Sequence, residues 1–132
     1  MKAADTNVVL RIITEDDEQQ AALARAAMRN ATLYVSLTVA IEVEWVLRSA
    51  YRWDRIRIAN AMVILTELEG LHVEDALLVR WAAARLRKGA DFADMIHLVA
   101  VRNLPAFVTF DRKLEQAAGS ETPLPVETLI VS

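Results

Sequence analysis

At 132 residues the chain fits a single domain, residues 1–132, large enough to bury about two-thirds of the surface its unfolded form exposes. Hydrophobic residues make up 55% against 25% charged, with only three Gly and three Pro, which excludes a disordered or low-complexity protein and points to a helix-rich one. The absence of Cys excludes disulfides, thiolate metal sites and Cys nucleophiles, and a net charge of -3 argues against a general polyanion-binding surface.

That charge does not exclude a nucleic-acid substrate, because neutralising four of the eighteen acids with metal in one pocket would leave the remainder slightly basic. No apolar run approaches the roughly 18 residues of a spanning helix, and the N-terminus lacks a signal-peptide pattern. A soluble, cytoplasmic protein without membrane association is therefore expected, and the lack of Cys fits a reducing compartment.

The first ten residues, M-K-A-A-D-T-N-V-V-L, read as a short buried strand delivering Asp5 to its C-terminal end. Open α/β sheets place their chemistry there, although Asp5 followed by Thr6 and Asn7 is also how a capped helix begins. Residues 8–14 follow as a short helix. Glu15-Asp16-Asp17-Glu18 then opens a longer helix to about Asn30, its acids matched to the helix dipole as a solvated start. Residues 32–36 are rich in β-formers and give a second strand, with Ser36 or Thr38 capping a helix to about Tyr51.

Asp54 caps a helix ending at Gly70, and Asp75 opens another ending at Gly89, both glycines at the position of a left-handed C-terminal residue. Leu71-His72-Val73 reads as a short strand between them. Asp91 starts the next helix, which stops near Asn103-Leu104-Pro105. Residues 106–110, A-F-V-T-F, form a continuous apolar run of strand length, expected to be buried on both faces and ending in Asp111. A short helix at 113–118 and a last strand around 126–130 complete the chain. Strands alternating with helices predict an α/β fold, with a central parallel sheet of about four to five short strands covered on both faces.

Several acids stand where a surface role does not explain them. Glu44 precedes Arg48 by four residues, the favourable order for a surface ion pair. Glu42 instead has Thr38, Val39, Trp45 and Val46 at helical spacing, a mostly apolar face expected to point inward. A buried carboxylate there needs a hydrogen bond, a proton or a metal, so Glu42 is either a site residue or a satisfied core glutamate. Asp91 reads as a helix cap or supporting residue and Asp94, bordered by apolar positions, as a ligand. Asp111, like Asp5, is a strand-end acid that could also cap the next helix.

Asp5, Glu42, Asp94 and Asp111 could thus converge at one edge of a parallel sheet. Four carboxylates in one pocket repel strongly, and a hard divalent cation, Mg2+ or Mn2+, resolves the repulsion. Zinc is disfavoured by the lack of His or Cys ligands. His97, one turn after Asp94, could reach the rim of such a pocket but reads first as a core histidine, and Trp45, Tyr51, Trp53 and Trp81 read as core residues or, if exposed, as a partner surface. No Gly-rich phosphate loop, nucleophile elbow or His pair is present.

The ordered segments A-D-T-N-V-V-L-R at 4–11, V-A-I-E-V-E-W-V-L-R-S at 39–49, A-D-F-A-D-M-I-H at 90–97 and V-T-F-D-R-K-L at 108–114 resemble the PIN-domain ribonucleases. More narrowly they resemble VapC toxins of bacterial and archaeal toxin–antitoxin operons. The resemblance spans nearly the whole chain and implies a three-layer α/β/α PIN-like fold. It places the family's acidic quartet on Asp5, Glu42, Asp94 and Asp111, with Asn7, Asp91 and Thr109 in support. It further implies Mg2+- or Mn2+-dependent endoribonuclease activity on an RNA substrate, a homodimer, and a cognate antitoxin protein as partner.

On this reading Asp5 and Asp94 bind metal directly, Glu42 positions or deprotonates the attacking water, and Asp111 completes the shell. Arg11, Arg48, Arg112 and Lys113 lie near these motifs and are either phosphate contacts or ordinary solvated surface. Two alternatives use the same residues differently. A Mg-binding phosphoacceptor signalling domain would want an adjacent acid pair after the first strand and a lysine after a late one, and neither is evident. A non-catalytic protein-binding module would keep the fold and ignore metal.

Overall fold

The computed structural model describes all 132 residues and has seven helices and five short strands. In chain order they are β1 (Lys2–Ala3), α1 (Thr6–Thr14), α2 (Glu18–Asn30), β2 (Leu33–Val35), α3 (Leu37–Ser49), α4 (Arg55–Glu67), β3 (Leu71–Val73), α5 (Ala76–Arg87), α6 (Phe92–Ala100), β4 (Phe107–Thr109), α7 (Leu114–Ala118) and β5 (Val126–Thr128). Every strand pairing is parallel, as alternating strands and helices require. The expected single sheet is divided into two ladders, one ordered β1-β2-β3 and a separate β4-β5 pair. No helix is long and apolar enough to cross a membrane.

The helix starts follow from short polar side chains in extended backbone. Asp5, Asp17, Ser36, Asp54 and Asp91 each accept a hydrogen bond from an N–H of the first turn, a cap worth about 1 kcal/mol apiece. One continuous core then fixes the helices to the sheet. In α6, Phe92, Met95, Ile96, Leu98 and Val99 are all buried, contributing about 2 kcal/mol each. With that stripe facing inward, Asp94 is left at the rim.

Four local expectations change. The Glu15–Glu18 run does not begin a helix at Glu15, which turns left-handed at φ 53° and ends α1, so that α2 starts only after the Asp17 cap. Asp16 between them is no idle surface acid. It accepts from Thr14 Oγ1 at 2.7 Å, Tyr51 Oη at 2.8 Å and Arg11 Nη1 at 3.1 Å, and the hydroxyl bonds, followed by the Arg11 charge, hold its carboxyl below the usual range. This network ties α1 to the loop after α3.

Asp75 likewise fails to cap α5, because it is left-handed at φ 48° and makes no cap bond. Its carboxylate pairs instead with Arg102 at 2.9 Å. Gly89, at φ 109°, does sit just past the end of α5 as expected, whereas α4 stops earlier, at Glu67. Gly70 serves the turn into β3, where a Cβ would come within 2.9 Å of the Met28 carbonyl oxygen.

The late strand differs most. Residues 106–110 were expected to be covered on both faces, yet β4 forms an outer pair with β5, and Val108 and Phe110 are 55% and 70% exposed. An unbroken apolar run identifies a strand but does not say that both its faces find partners.

Candidate active site

Asp94 is the centre of the acidic cluster. It is half-buried in the first turn of α6, its N–H donating to Asp91 Oδ1 at 3.0 Å. Burial pushes its carboxyl above the usual range, and the charges of Asp91 and then Asp111 push it further, while His97 one turn on partly offsets them. Three acids from the start of α6 and the end of β4 therefore feel one another. Asp111 is held by its own turn, its N–H donating to Thr109 Oγ1 at 2.9 Å and its Oδ1 accepting from the Lys113 N–H at 2.9 Å. Thr109 thus supports Asp111, and Asp91 both caps α6 and faces Asp94.

Asp5 caps α1, Oδ1 accepting from the Val8 N–H at 3.1 Å. With Asn7, Arg11 and Gln20 it lines a shallow groove between α1 and α2. Asp5 is not among the acids that shift Asp94. The two readings of Asp5 are not exclusive, since a capping carboxylate spends one oxygen on the helix and keeps its remaining lone pairs. Glu74, which follows β3, shows the other outcome for a strand-end acid. Its Oε1 accepts from the Leu37 N–H at 3.0 Å, and it serves the start of α3.

The two glutamates of α3 exchange the environments expected of them. Glu44, expected at the surface with Arg48, is the buried one at 3% exposure, and Glu42, expected on an inward face, is exposed. The buried stripe of α3 runs Leu37, Ala40, Val43, Glu44 and Leu47, and that spacing, rather than the apolar type of Glu42's neighbours, identifies the inward face. Arg48 reaches in from the rim, Nε to Glu44 Oε2 at 2.9 Å. The Glu44 hydrogen bond and charge, with a smaller contribution from Asp91, make Arg48 hold its proton more firmly than usual. Arg48 therefore links α3 electrostatically to the acidic end of α6. Glu42 faces solvent.

Other expected groups divide in the same way. Arg11 is committed to Gln20, Asp16 and Tyr51. Arg112 and Lys113 are exposed beside Asp111. His97, expected in the core, is exposed on the same helix as Asp94, because the α6 stripe is filled without it. Trp45 is exposed, Trp53 stacks under the Arg57 guanidinium at 3.8 Å, and Trp81 is half-buried.

No three of these acids and histidines converge on one point closely enough to cage an ion. The donors fit a hard divalent cation nonetheless. They are carboxylate oxygens only, and Mg2+ is commonly held by one or two carboxylates, with water and substrate phosphate oxygens completing six ligands.

The PIN domain family model matches residues 3–120, and the chain belongs to the PIN domain family. Neither curated proteins nor solved structures give a match. PIN domains are typically nucleases and generally bind divalent metal ions, so the acids at the start of α6 and the end of β4 belong to a nuclease fold. The phosphoacceptor domain drops out, being a different family.

Proposed function

We propose that this protein is a Mg2+- or Mn2+-dependent endoribonuclease of the VapC type, acting as the toxin of a toxin–antitoxin pair. The observation that carries the reading is Asp94, whose carboxyl is raised by burial and by the neighbouring charges of Asp91 and Asp111. Carboxylates crowded at one place, with none of Asp91, Asp94 and Asp111 in an ion pair, suit a divalent ion. Asp94 and Asp5 would hold the ion directly and Asp111 would complete the set, with Thr109 and Asp91 fixing Asp111 and Asp94 and with Asn7 beside Asp5. A bound ion would neutralise charge on the scissile phosphate and make water a better nucleophile at neutral pH. Glu42, exposed on α3, orients that water or takes its proton.

The four ordered motifs support RNA as substrate and a cognate antitoxin as partner. Homodimerisation is supported by the exposed apolar side chains on β4 and just beyond the ends of β4 and β5, among them Val108, Phe110 and Ile130, since exposed apolar side chains grouped together mark interaction surfaces. The test is cleavage of a mixed single-stranded RNA by wild type and Asp94→Asn with and without Mn2+. Metal-dependent internal cleavage by wild type alone is expected. No cleavage by wild type in either condition would favour the protein-binding module.

A further inference from the structure

Between α5, the start of α6 and α7 lies an open cleft of about 380 Å3 whose titratable side chains are all cations, Arg85, Lys88 and Lys113. Five arginines elsewhere are balanced by acids. Arg11, Arg25, Arg48, Arg80 and Arg102 each have a carboxylate within 4 Å, and the larger cleft that holds Arg25 and Arg29 also holds Glu69. Arg85, Lys88 and Lys113 have no such partner. Gathering three positive charges without an acid, on a chain whose net charge is -3, costs repulsion that a bound anion would relieve.

The cleft is also built. Arg85 donates from Nε to the Ala117 carbonyl at 2.6 Å and from Nη2 to the Gln116 carbonyl at 3.2 Å. Its guanidinium is packed so closely on the turn after α7 that a Cβ at Gly119 would meet it at 3.0 Å. Held this way, Arg85 keeps Nη1 unused, while Lys88 and Lys113 keep their ammonium groups unpaired. These are the donors that anions recruit in charge-assisted bonds.

Position supplies the identity of the anion. Ala90 lines the cleft and immediately precedes Asp91, and Lys113 lies two residues, about 7 Å of chain at most, beyond Asp111. The cleft and the acidic cluster thus share both of the segments that carry them. We propose that Arg85, Lys88 and Lys113 form a phosphate-binding site for a single-stranded nucleic acid, holding a phosphodiester next to the one presented to the acids. The proposal rests on the nuclease reading for the choice of ligand. Contacts to phosphate position a strand without reading its bases, so this site sets register and affinity and leaves base choice elsewhere.

The experiment is titration of a short fluorescent single-stranded RNA onto the whole protein, in chelator so that nothing is cut, across a salt series. Lys88→Gln/Lys113→Gln is compared with wild type and with Arg25→Gln at the far end of the strands. Both lysines are exposed and lack side-chain partners, so the double variant is expected to melt with wild type. Each phosphate contact to a single strand contributes about 0.7 to the slope of log affinity against log salt. The double variant should therefore bind several-fold more weakly, with a slope shallower by about 1.4, and Arg25→Gln should change neither.

An unchanged slope and affinity in the double variant would overturn the site. So would inorganic phosphate raising the melting temperature of wild type but not of the double variant while RNA shows no binding, which would assign the cleft to free phosphate. Cleavage with Mn2+ is read separately. A slope difference without cleavage by wild type sinks the nuclease reading and leaves the phosphate site, whereas cleavage with an unchanged slope sinks the site alone.

Discussion

The two ends of the parallel strands carry opposite kinds of surface. At the N-terminal ends of β2 and β3 lies the larger cleft, about 680 Å3, where Thr32 and Gly70 enter the sheet and Arg25 and Arg29 share the lining with the acid Glu69. At the C-terminal ends the chain delivers Asp5 and Asp111, with Asp94 raised by its acidic neighbours and an acid-free basic cleft beside it. Volume favours one end and unbalanced charge the other. Charge is the better guide, because a functional site has to hold groups in states that solvent alone would not favour, and the outer ends of strands in an open α/β fold are where the chain can present them.

The largest expected effect tests that contrast directly. Asp94→Asn should lower Mn2+-dependent RNA cleavage by about 10³-fold, about 4 kcal/mol of barrier, whereas Arg29→Gln in the larger cleft should leave the rate unchanged. Initial rates on one RNA under identical metal settle it. Equal losses would erase the distinction between the ends.

Next come the glutamates of α3. Arg48→Met strands a carboxylate in the core and should cost about 3 kcal/mol in denaturant unfolding. Glu42→Gln should change stability by less than about 0.5 kcal/mol and still slow cleavage. If Glu42→Gln instead destabilised the fold and Arg48→Met did not, the assignment of the two environments would be reversed.

That pair also marks how far the sequence could be read. Caps were legible because Asp5, Ser36, Asp54 and Asp91 act through bonds made within three residues. The strands at 33–35, 71–73 and 107–109 were legible as short apolar runs. Glu42 and Glu44 were misassigned because apolar neighbours such as Trp45 stay at the surface, and the inward stripe is set by what α3 packs against. The division into two ladders, the open face of β4 and the Asp16–Tyr51 bond across 35 residues depend on tertiary pairing that no local pattern encodes. The basic cleft was illegible for the same reason, since Arg85 and Lys88 meet Lys113 only after folding.

A smaller effect belongs to the quieter end. Gly70→Ala, at φ 91° with the Met28 carbonyl 2.9 Å from the new Cβ, should cost about 1–3 kcal/mol without altering the metal dependence of cleavage. A loss of metal response there would tie the two ends together.

The smallest effect is one of pH. Because burial and then Asp91 and Asp111 raise Asp94 above the usual carboxylate range, the folded state binds this proton more readily than the unfolded state. Its stabilising effect is complete below the ordinary aspartate value that the unfolded chain keeps and is lost as pH rises through the raised folded value. Without metal, Asp94→Asn should therefore melt higher than wild type at neutral pH, with the gap closing in acid. A gap that widened in acid would reverse the sign of the crowding.

The central claim, that the acidic end of the fold is a divalent-cation site, is tested most directly by thermal melting of wild type and Asp94→Asn with and without millimolar Mn2+, which requires no choice of RNA. Wild type should melt higher with the ion, and Asp94→Asn should lose most of that gain. An equal gain in both proteins, or none in wild type, would contradict the claim.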